Sequence, residues 1–182
     1  INKARLDITH FEHLSLQQIE AIEKLANSAI RKNLPVHKLV LDRGEAEKKY
    51  GFSIYQGGIA PGKSIRVQDI EGWDVEACAG TLVLNTGEIG LIKIIKNERV
   101  QDGVERLEYV AGETALDYIQ QQNALLDSIS TELSVQTNKI PVAIKQLIIE
   151  NELIKKNNKS LIKNRLADII YDHVVKSSTK IR

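Results

Sequence analysis

Glycine punctuates this chain as far as Gly112 and is absent from residues 113–182. Before that point β-branched runs alternate with turn residues such as Asp102-Gly103, and after it leucine and isoleucine recur at helical spacing. Turn-bounded β-branched runs favour strands, whereas apolar periodicity without glycine favours helices. The sequence therefore predicts an α+β fold, with a mixed, mainly antiparallel sheet packed with helices, followed by a C-terminal helical segment. We place the two parts at residues 1–118 and 119–182.

The first predicted helix has specific start and stop signals. Ser15 precedes an apolar-periodic run, and Gln18 completes a capping box with it. The helix should end near Asn33, because Pro35 disfavours helical geometry in the residue before it. Further elements predicted from the pattern are an extended run at 36–41, a short helix at 44–50 and strands between 52 and 112.

The C-terminal part is predicted to contain three helices. One begins after Gly112, and Lys139-Ile140-Pro141 marks a break. Two amphipathic patterns follow at 141–157 and 159–176, separated near Asn157-Asn158. Their isoleucine and leucine rows are suited to burying each other or a partner chain.

Composition limits the possible classes of protein. Hydrophobic residues make up 42% and charged residues 27% of the 182 residues, as in soluble globular proteins. No apolar run approaches the roughly 20 residues that span a bilayer, which argues against a membrane role. With 25 basic and 24 acidic side chains the net charge is +1, so any RNA contact must come from a local basic face.

Cysteine and methionine usage indicates where such a chain works. A single cysteine excludes an internal disulfide framework and fits a reducing cytoplasm. The chain has no methionine at all. We therefore expect it to begin inside a longer protein, or to have been processed or renumbered.

The densest motifs lie between residues 74 and 112. Cys78 stands in Cys-Ala-Gly-Thr-Leu, which is followed by Asn85-Thr86-Gly87-Glu88-Ile89-Gly90 and by Asp102-Gly103-Val104-Glu105-Arg106. Upstream the chain reads Arg5-Leu6-Asp7-Ile8-Thr9-His10-Phe11. Over residues 4 to 118 this combination resembles the editing domain of the alanyl-tRNA synthetase family, and its archaeal type in particular.

The resemblance implies that the chain is a fragment of alanine–tRNA ligase. It further implies an editing domain that hydrolyses the ester bond of serine or glycine wrongly attached to tRNA(Ala), with ATP and magnesium in a catalytic domain outside this chain. The implied partners are tRNA(Ala) and a second copy of the protein through the C-terminal helices. The implied location is the cytoplasm.

In the family that the chain resembles, the editing site binds zinc, so the family's zinc ligands can be compared with the residues of this chain. In the family two ligands come from a His-x-x-x-His helix and two from Cys-x-Gly-Thr-His. Cys78 matches the cysteine, but Leu82 stands at the histidine position, and the His-x-x-x-His segment would lie before Ile1. We therefore expect the chain to bind no zinc stoichiometrically and to be poorly active by itself.

Other donors are weak substitutes. His10 and His13 follow a predicted strand, in which a three-residue spacing points side chains to opposite faces. We interpret both as structural or surface histidines. For Cys78 itself two interpretations remain open, a small buried side chain and a residual metal ligand.

No catalytic residue is identified by the sequence, although Thr81 is a candidate for the pocket. Candidate substrate-binding residues are Gln56, Gly57, Gly58, Gly80 and Thr81. Their glycines would let backbone amides approach the 3′ end of tRNA, and they equally suit turns between strands. Candidate phosphate contacts are Lys93, Lys96, Arg99, Arg106, Lys145, Lys155, Lys156, Lys159, Lys163 and Arg165, although Glu150, Glu152 and Asp168 interrupt the helical set and favour a solvated face.

Two further hypotheses are kept. The first is a free-standing trans-editing hydrolase of the same fold, since threonyl-tRNA synthetase shares a related domain. The second is a metal-free, non-catalytic module for tRNA binding or dimerisation, which Leu82 favours.

Overall fold

A computed structural model describes residues 3–56, 58 and 62–178 of the chain. The strands are β1 (Ala4–Thr9), β2 (Val36–Asp42), β3 (Ser64–Ile70), β4 (Asp74–Ala77), β5 (Ile92–Gln101) and β6 (Val104–Ala111). The helices are α1 (Leu16–Lys32), α2 (Arg43–Tyr50), α3 (Glu113–Glu132) and α4 (Ile140–Ser178). Short 310 helices occupy Phe52–Ile54, Thr86–Ile89 and Thr137–Lys139. Every ladder between these strands is antiparallel, and the α+β prediction is confirmed.

Helix α1 has the predicted ends. The Ser15 side chain accepts a hydrogen bond from the Gln18 N–H, and the Gln18 side chain accepts one from the Ser15 N–H. At the other end Asn33 adopts left-handed geometry with φ of 51°, and its N–H donates to the Ile30 carbonyl at 3.0 Å. Such a left-handed cap ends a helix without proline.

The first sheet has the strand order β1-β6-β5, with α1 beside β5. Side chains of α1 bond to the outer edge of β5. The Asn27 amide donates to the Ile92 carbonyl at 2.8 Å and accepts from the Ile92 N–H at 3.0 Å. Glu23 accepts from the Ile94 N–H at 2.8 Å. These contacts fix how α1 lies along the sheet.

The second sheet has the order β2-β3-β4, and its two faces differ. Because side chains alternate along a strand, Ile65 and Val67 of β3 lie on one face and bury against Ala46 and Ile54. The opposite face, here called the polar face, carries most of the charged side chains of this sheet. The strand registers place on it Lys38 of β2, Arg66 and Gln68 of β3, and Asp74 and Glu76 of β4, together with the apolar Val36, Val40 and Ile70.

The chain divides into two compact units, Ile1–Gln120 and Gln121–Arg182. In the second, α3 ends at Glu132 and Ser134 takes a positive φ of 53°. The 310 helix Thr137–Lys139 then leads into α4. None of the helices in the described part of the chain is both long enough and apolar enough to cross a membrane.

The predicted helix break at Asn157-Asn158 is wrong. Helix α4 runs without interruption from Ile140 to Ser178. Asparagine is a weaker helix former than alanine by less than about 0.7 kcal/mol per residue, so two asparagines do not outweigh the flanking lysines, leucines and isoleucines. Pro141, by contrast, lies in the first turn of α4, where a missing N–H costs no helical hydrogen bond.

Candidate functional site

The residues of the Cys-Ala-Gly-Thr-Leu motif form a loop directly after β4, here called the cysteine loop (78–82). Strand β4 ends at Ala77, and the Cys78 N–H still bonds to the Arg66 carbonyl of β3 at 3.0 Å. The chain then leaves the sheet. The loop thus begins at a point that the β3–β4 ladder fixes.

Two cations from the polar face of the second sheet hold this loop. The Arg66 Nε donates to the Cys78 carbonyl at 2.9 Å, and a terminal nitrogen of the same guanidinium donates to the Gly80 carbonyl. The Lys38 ammonium donates to the Leu82 carbonyl at 2.7 Å. Charged donors make stronger hydrogen bonds than neutral ones, so three main-chain carbonyls of the loop are fixed from two strands.

The thiol of Cys78 is free and half-buried. The Gly80 N–H points to Cys78 Sγ at 3.4 Å. Sulfur is a weak acceptor, so this contact orients the side chain more than it stabilises it. The thiol therefore lies inside the bend of the loop, next to the main chain of Gly80.

Gly80 and Thr81 are exposed at the tip of the loop. A Cβ on Gly80 would lie 3.5 Å from Cys78 Sγ, which is an ordinary contact, so packing within the chain does not require glycine there. The Thr81 hydroxyl forms no hydrogen bond to any described residue. It is free to bind a ligand or water.

The chain that follows the loop is anchored by Thr86. Its side chain is 3% exposed, and its hydroxyl donates to the Ala29 carbonyl and accepts from the Leu34 N–H, both at 2.8 Å. Asn85 and Glu88 form a reciprocal capping box at the start of the 310 helix. The cysteine loop is thus held between the sheet on one side and this buried hydroxyl on the other.

An acidic pair lies beside the loop. Asp74, Glu76, Gln68 and Ile70 line a small cavity of about 100 Å³ on the polar face. Partial burial raises the pKa of Glu76 above its ordinary value, and the neighbouring Asp74 charge raises it further. Burial and like charge both disfavour the ionised carboxylate. Glu76 lies on β4, two residues before Cys78.

The other predicted substrate-binding residues lie elsewhere. Gln56 is exposed just after the 310 helix Phe52–Ile54, which packs through Ile54 on the apolar face of the second sheet. Gly58 has a φ of 125°, which suits glycine in a turn. Gly57 lies outside the described residues. No hydrogen bond between described residues joins Gln56 or Gly58 to the cysteine loop.

His10 and His13, which follow β1, contact residues of the first sheet. The His10 N–H donates to the Gly103 carbonyl at 3.0 Å. His13 Nδ1 lies 3.0 Å from a carboxylate oxygen of Glu105, whose side chain is 1% exposed. His13 therefore serves as a hydrogen-bond partner for a buried carboxylate.

The described residues do not fit a zinc site. A protein-bound zinc ion takes three or four nitrogen, sulfur or oxygen ligands. Within residues 3–56, 58 and 62–178 no three His, Cys, Asp or Glu side chains come together in a way that could hold a metal ion. Cys78 offers a single sulfur, and the neutral Leu82 side chain offers none.

The predicted phosphate contacts on the first sheet are already paired. The pairs are Lys93 with Glu23 at 2.9 Å, Lys96 with Glu98 at 2.5 Å, Arg99 with Asp102 at 3.4 Å and Arg106 with Asp7 at 2.7 Å. Trp73 is 38% exposed and has the Lys32 ammonium 5.0 Å from its ring centroid. These side chains stabilise the first unit through mutual contacts.

Sequence reasoning missed Lys38, Arg66 and Glu76. The alternation in Ser64–Ile70 places Ile65 and Val67 inward and thereby marks Arg66 as outward-facing. That signal gives the face of Arg66 but not its target, because the target depends on the register of three strands.

The comparisons with known proteins agree with the motifs. The family model for the threonyl and alanyl tRNA synthetase second additional domain matches residues 65–108. That range covers β3 apart from Ser64, all of β4, the cysteine loop and β5, and most of β6. It therefore contains the cysteine loop and the strands β4 and β5 on either side of it in the chain.

Curated relatives extend the match along the chain. The alanine–tRNA ligase of Methanopyrus kandleri is 49% identical over 149 residues, which are 82% of this chain and 16% of the relative. That of Methanococcus maripaludis strain C7 is 44% identical over 174 residues, 91% of this chain and 19% of the relative. That of Methanobrevibacter smithii is 46% identical over 175 residues, 92% of this chain and 20% of the relative.

The chain thus spans a fifth or less of the length of these relatives, while most of its own length is matched. The matched region includes the second additional domain and continues into the helices. The resemblance to the archaeal type is confirmed by these relatives. On the combined evidence of the domain match, the identities and the motif-bearing loop, the chain belongs to the alanyl-tRNA synthetase family.

Proposed function

We propose that this chain is the editing portion of an alanine–tRNA ligase, which clears serine or glycine wrongly attached to tRNA(Ala). In this proposal residues 1–118 form the editing unit and residues 119–182 the helical extension. The observation that carries it is the match over residues 65–108, which includes the cysteine loop and Arg66. Arg66 and, from outside that range, Lys38 hold the loop in a fixed shape.

The cysteine loop would act by positioning the substrate. Arg66 and Lys38 fix its carbonyls, which leaves the Thr81 hydroxyl exposed and without a partner in the described part of the chain. A hydroxyl in a fixed place can bind the serine hydroxyl of a mischarged tRNA. Sites that hydrogen-bond a substrate hydroxyl discriminate strongly against analogues that lack it, so alanine would be held less well.

A second candidate is a non-catalytic module that binds tRNA without hydrolysing the ester. Leu82 at the family's histidine position and the single sulfur donor of Cys78 favour it. The described residues do not provide the ligands that metal-assisted hydrolysis would need. The two candidates differ in whether the ester bond is broken.

Binding and hydrolysis of aminoacylated tRNA(Ala) separate the candidates. We expect the chain to bind the seryl form more tightly than the alanyl form. Thr81→Val should remove that preference, while Thr81→Ser, which keeps the hydroxyl, should retain it. Equal affinity of the unmodified chain for both forms would contradict the positioning role.

Hydrolysis by the chain itself should be close to the spontaneous rate. With zinc present and a His-x-x-x-His segment of the family joined before Ile1, Leu82→His should raise seryl-tRNA deacylation by about tenfold or more over the same chain with Leu82, since a preorganised stabilising group is worth about 10²–10³ in rate when complete. Leu82→Asn is the matched control, because it adds polarity without the imidazole ligand. No increase with Leu82→His would favour the non-catalytic module.

The exposed apolar residues of α4 support a proposal of self-association. Leu147, Ile148, Ile154 and Leu161 are between 50% and 65% exposed. Burying such side chains contributes about 1.5–3 kcal/mol each. We expect sedimentation to show dimers or larger species that Ile148→Asp and Ile169→Asp disrupt.

The control for self-association is Leu25→Asp on α1, which is 59% exposed and lies outside α4. It should leave the sedimentation behaviour unchanged. The chain would not self-associate through α4 if it stayed monomeric at high concentration and the α4 variants altered only its stability.

A further inference from the structure

The middle of α4 carries a local positive charge. Between Leu153 and Ala167 the sequence contains no aspartate or glutamate. The basic residues in that stretch are Lys155, Lys156, Lys159, Lys163 and Arg165. The chain as a whole has a net charge of only +1, so this concentration of cations is a property of the segment.

The continuity of α4 brings four of these lysines onto one side. Successive residues of an α-helix are rotated by about 100°, which places Lys155, Lys156, Lys159 and Lys163 within an arc of roughly 100°. We call these four residues the basic stripe. Lys155, Lys159 and Lys163 are spaced by four residues, or about 6 Å along the axis. A break at Asn157-Asn158 would have separated the first two lysines from the last two.

The basic stripe is not neutralised within the part of the chain that is described. All four side chains are exposed, and none forms an ion pair with a described carboxylate. Glu152 lies in the same arc, four residues before Lys156, yet no ion pair joins them. The lysines and arginines of the first sheet, by contrast, are largely paired.

We propose that the basic stripe is a binding surface for the phosphate backbone of RNA. A row of exposed ammonium groups that have no ion pair with a described residue complements a regular polyanion, and each phosphate neutralised releases condensed counterions. Lysines at successive turns make several such contacts without any base recognition. The identification of the RNA as tRNA rests on the proposed function, whereas the phosphate chemistry does not.

An anionic membrane is the competing polyanion, and the apolar residues of α4 argue against it. A helix that lies on a membrane presents one apolar face opposite its cations. On α4 apolar residues occupy several sides, since Ile144 is about 140° from Ile149 and about 180° from Leu153 around the axis. The segment between Ile140 and Ile170 also lacks the tryptophan and phenylalanine that anchor such helices.

The test measures the salt dependence of binding to an uncharged tRNA(Ala) transcript. The stripe variant combines Lys155→Gln, Lys159→Gln and Lys163→Gln in the full chain. Because each cation contributes about 0.7–0.9 to the slope of log K against log salt, its slope should be lower in magnitude by about 2 to 3. Glutamine is a helix former comparable to lysine, and circular dichroism should show unchanged helix content.

Two further variants control for charge and chemistry. The charge-matched control combines Lys24→Gln, Lys48→Gln and Lys139→Gln, three exposed lysines outside the stripe. It should keep the original slope. Replacing the three stripe lysines by arginine keeps the charge and should also keep the slope.

Three outcomes would overturn the proposal. One is a slope of log K against log salt that is unchanged in the stripe variant. Another is an equal decrease of that slope in the charge-matched control. The third is a stripe variant that loses binding to phosphatidylserine vesicles while binding the transcript normally. The transcript carries no amino acid, so this test does not depend on serine editing. RNA binding by the basic stripe can therefore be confirmed even if the editing proposal fails, and the editing proposal can hold even if the basic stripe does not bind RNA.

Discussion

The polar faces of the two sheets use their cations in different ways. On the first sheet Lys3 and Arg5 donate to Glu108 at 2.7 and 2.8 Å, and the Arg106 guanidinium binds both oxygens of a strand carboxylate. On the second sheet Arg66 and Lys38 donate to main-chain carbonyls of the cysteine loop. Asp74 and Glu76 have no ion pair with any cation in the described ranges.

The pKa values of the carboxyl groups follow this difference. Hydrogen bonds from Lys3 and then Arg5 lower the pKa of Glu108 from 4.5 to about 2. Burial and Asp74 raise that of Glu76. The first face is therefore arranged to stabilise the fold, whereas the second retains an unfavourable acidic pair beside a braced loop. Raised carboxyl pKa values of this origin are common at functional sites.

The largest effect is expected from removing the loop brace. Arg66→Gln should destabilise the fold by only about 1 kcal/mol, because Arg66 is exposed, but it should loosen the cysteine loop. We expect Cys78 to react about fivefold faster with a thiol reagent, the factor that corresponds to about 1 kcal/mol of lost restraint. The reaction rate of Cys78 is measured from the colour that the thiol reagent releases, and the free energy of unfolding is measured by urea denaturation.

The matched control for this brace is an arginine of the first sheet. Arg106→Gln removes a guanidinium that pairs with Asp7 and does not contact the cysteine loop. It should leave the Cys78 rate unchanged. If Arg66→Gln and Arg106→Gln raised the reaction rate of Cys78 equally, Arg66 would not restrain the cysteine loop through its own hydrogen bonds.

An effect of intermediate size is expected in the pH dependence of stability. Ionisation of Glu108 on the first sheet stabilises the fold, whereas ionisation of Glu76 on the second sheet destabilises it. The lowered pKa of Glu108 stabilises the fold above pH 4.5, and this contribution is lost as the pH falls through about 2. Glu108→Gln should therefore flatten the loss of stability in acid. The raised pKa of Glu76 means that its ionisation disfavours the fold as pH rises above its ordinary value. Glu76→Gln should thus stabilise the protein near neutrality.

Urea unfolding at a series of pH values from acid to neutral checks both signs. The unmodified chain, Glu108→Gln and Glu76→Gln are compared at each pH. A Glu76→Gln variant that is less stable than the parent at neutral pH would show that this carboxylate has a favourable partner after all.

The smallest structural effect is expected at the loop tip. Gly80→Ala should change the free energy of unfolding by less than about 0.5 kcal/mol, because the added Cβ meets Cys78 Sγ at an ordinary 3.5 Å. If the glycine instead serves close approach of tRNA, the variant should bind seryl-tRNA(Ala) more weakly. Denaturant unfolding and tRNA binding on the same sample distinguish that role from a simple turn.

Local signals predicted much of the fold. The Ser15 and Gln18 capping box gave the start of α1, and Asp102-Gly103 gave the hairpin between β5 and β6. These features depend on residues close in sequence. The continuity of α4 was mispredicted because two asparagines read as a turn, although neighbouring helix formers determine the outcome over so long a segment.

The candidate site was only partly predictable for a different reason. Cys78, Gly80 and Thr81 form a motif within five residues, so the sequence alone identifies the loop. Lys38 lies far from them in sequence and reaches the Leu82 carbonyl only through the pairing of β2 with β3. Such a contact depends on the register between β2 and β3, and no tight turn sets it, because α2 and a 310 helix separate the two strands in the chain.

The bonds from α1 to β5 also determine how the first sheet can grow. A free strand edge invites pairing with another chain, and proteins commonly cover or obstruct it. Here Asn27 and Glu23 already occupy the N–H and carbonyl groups of Ile92 and the N–H of Ile94. Intermolecular strand addition is therefore blocked along this stretch of β5. Among the described residues β1 pairs only with β6, so the outer edge of β1 is where this sheet has room for another strand.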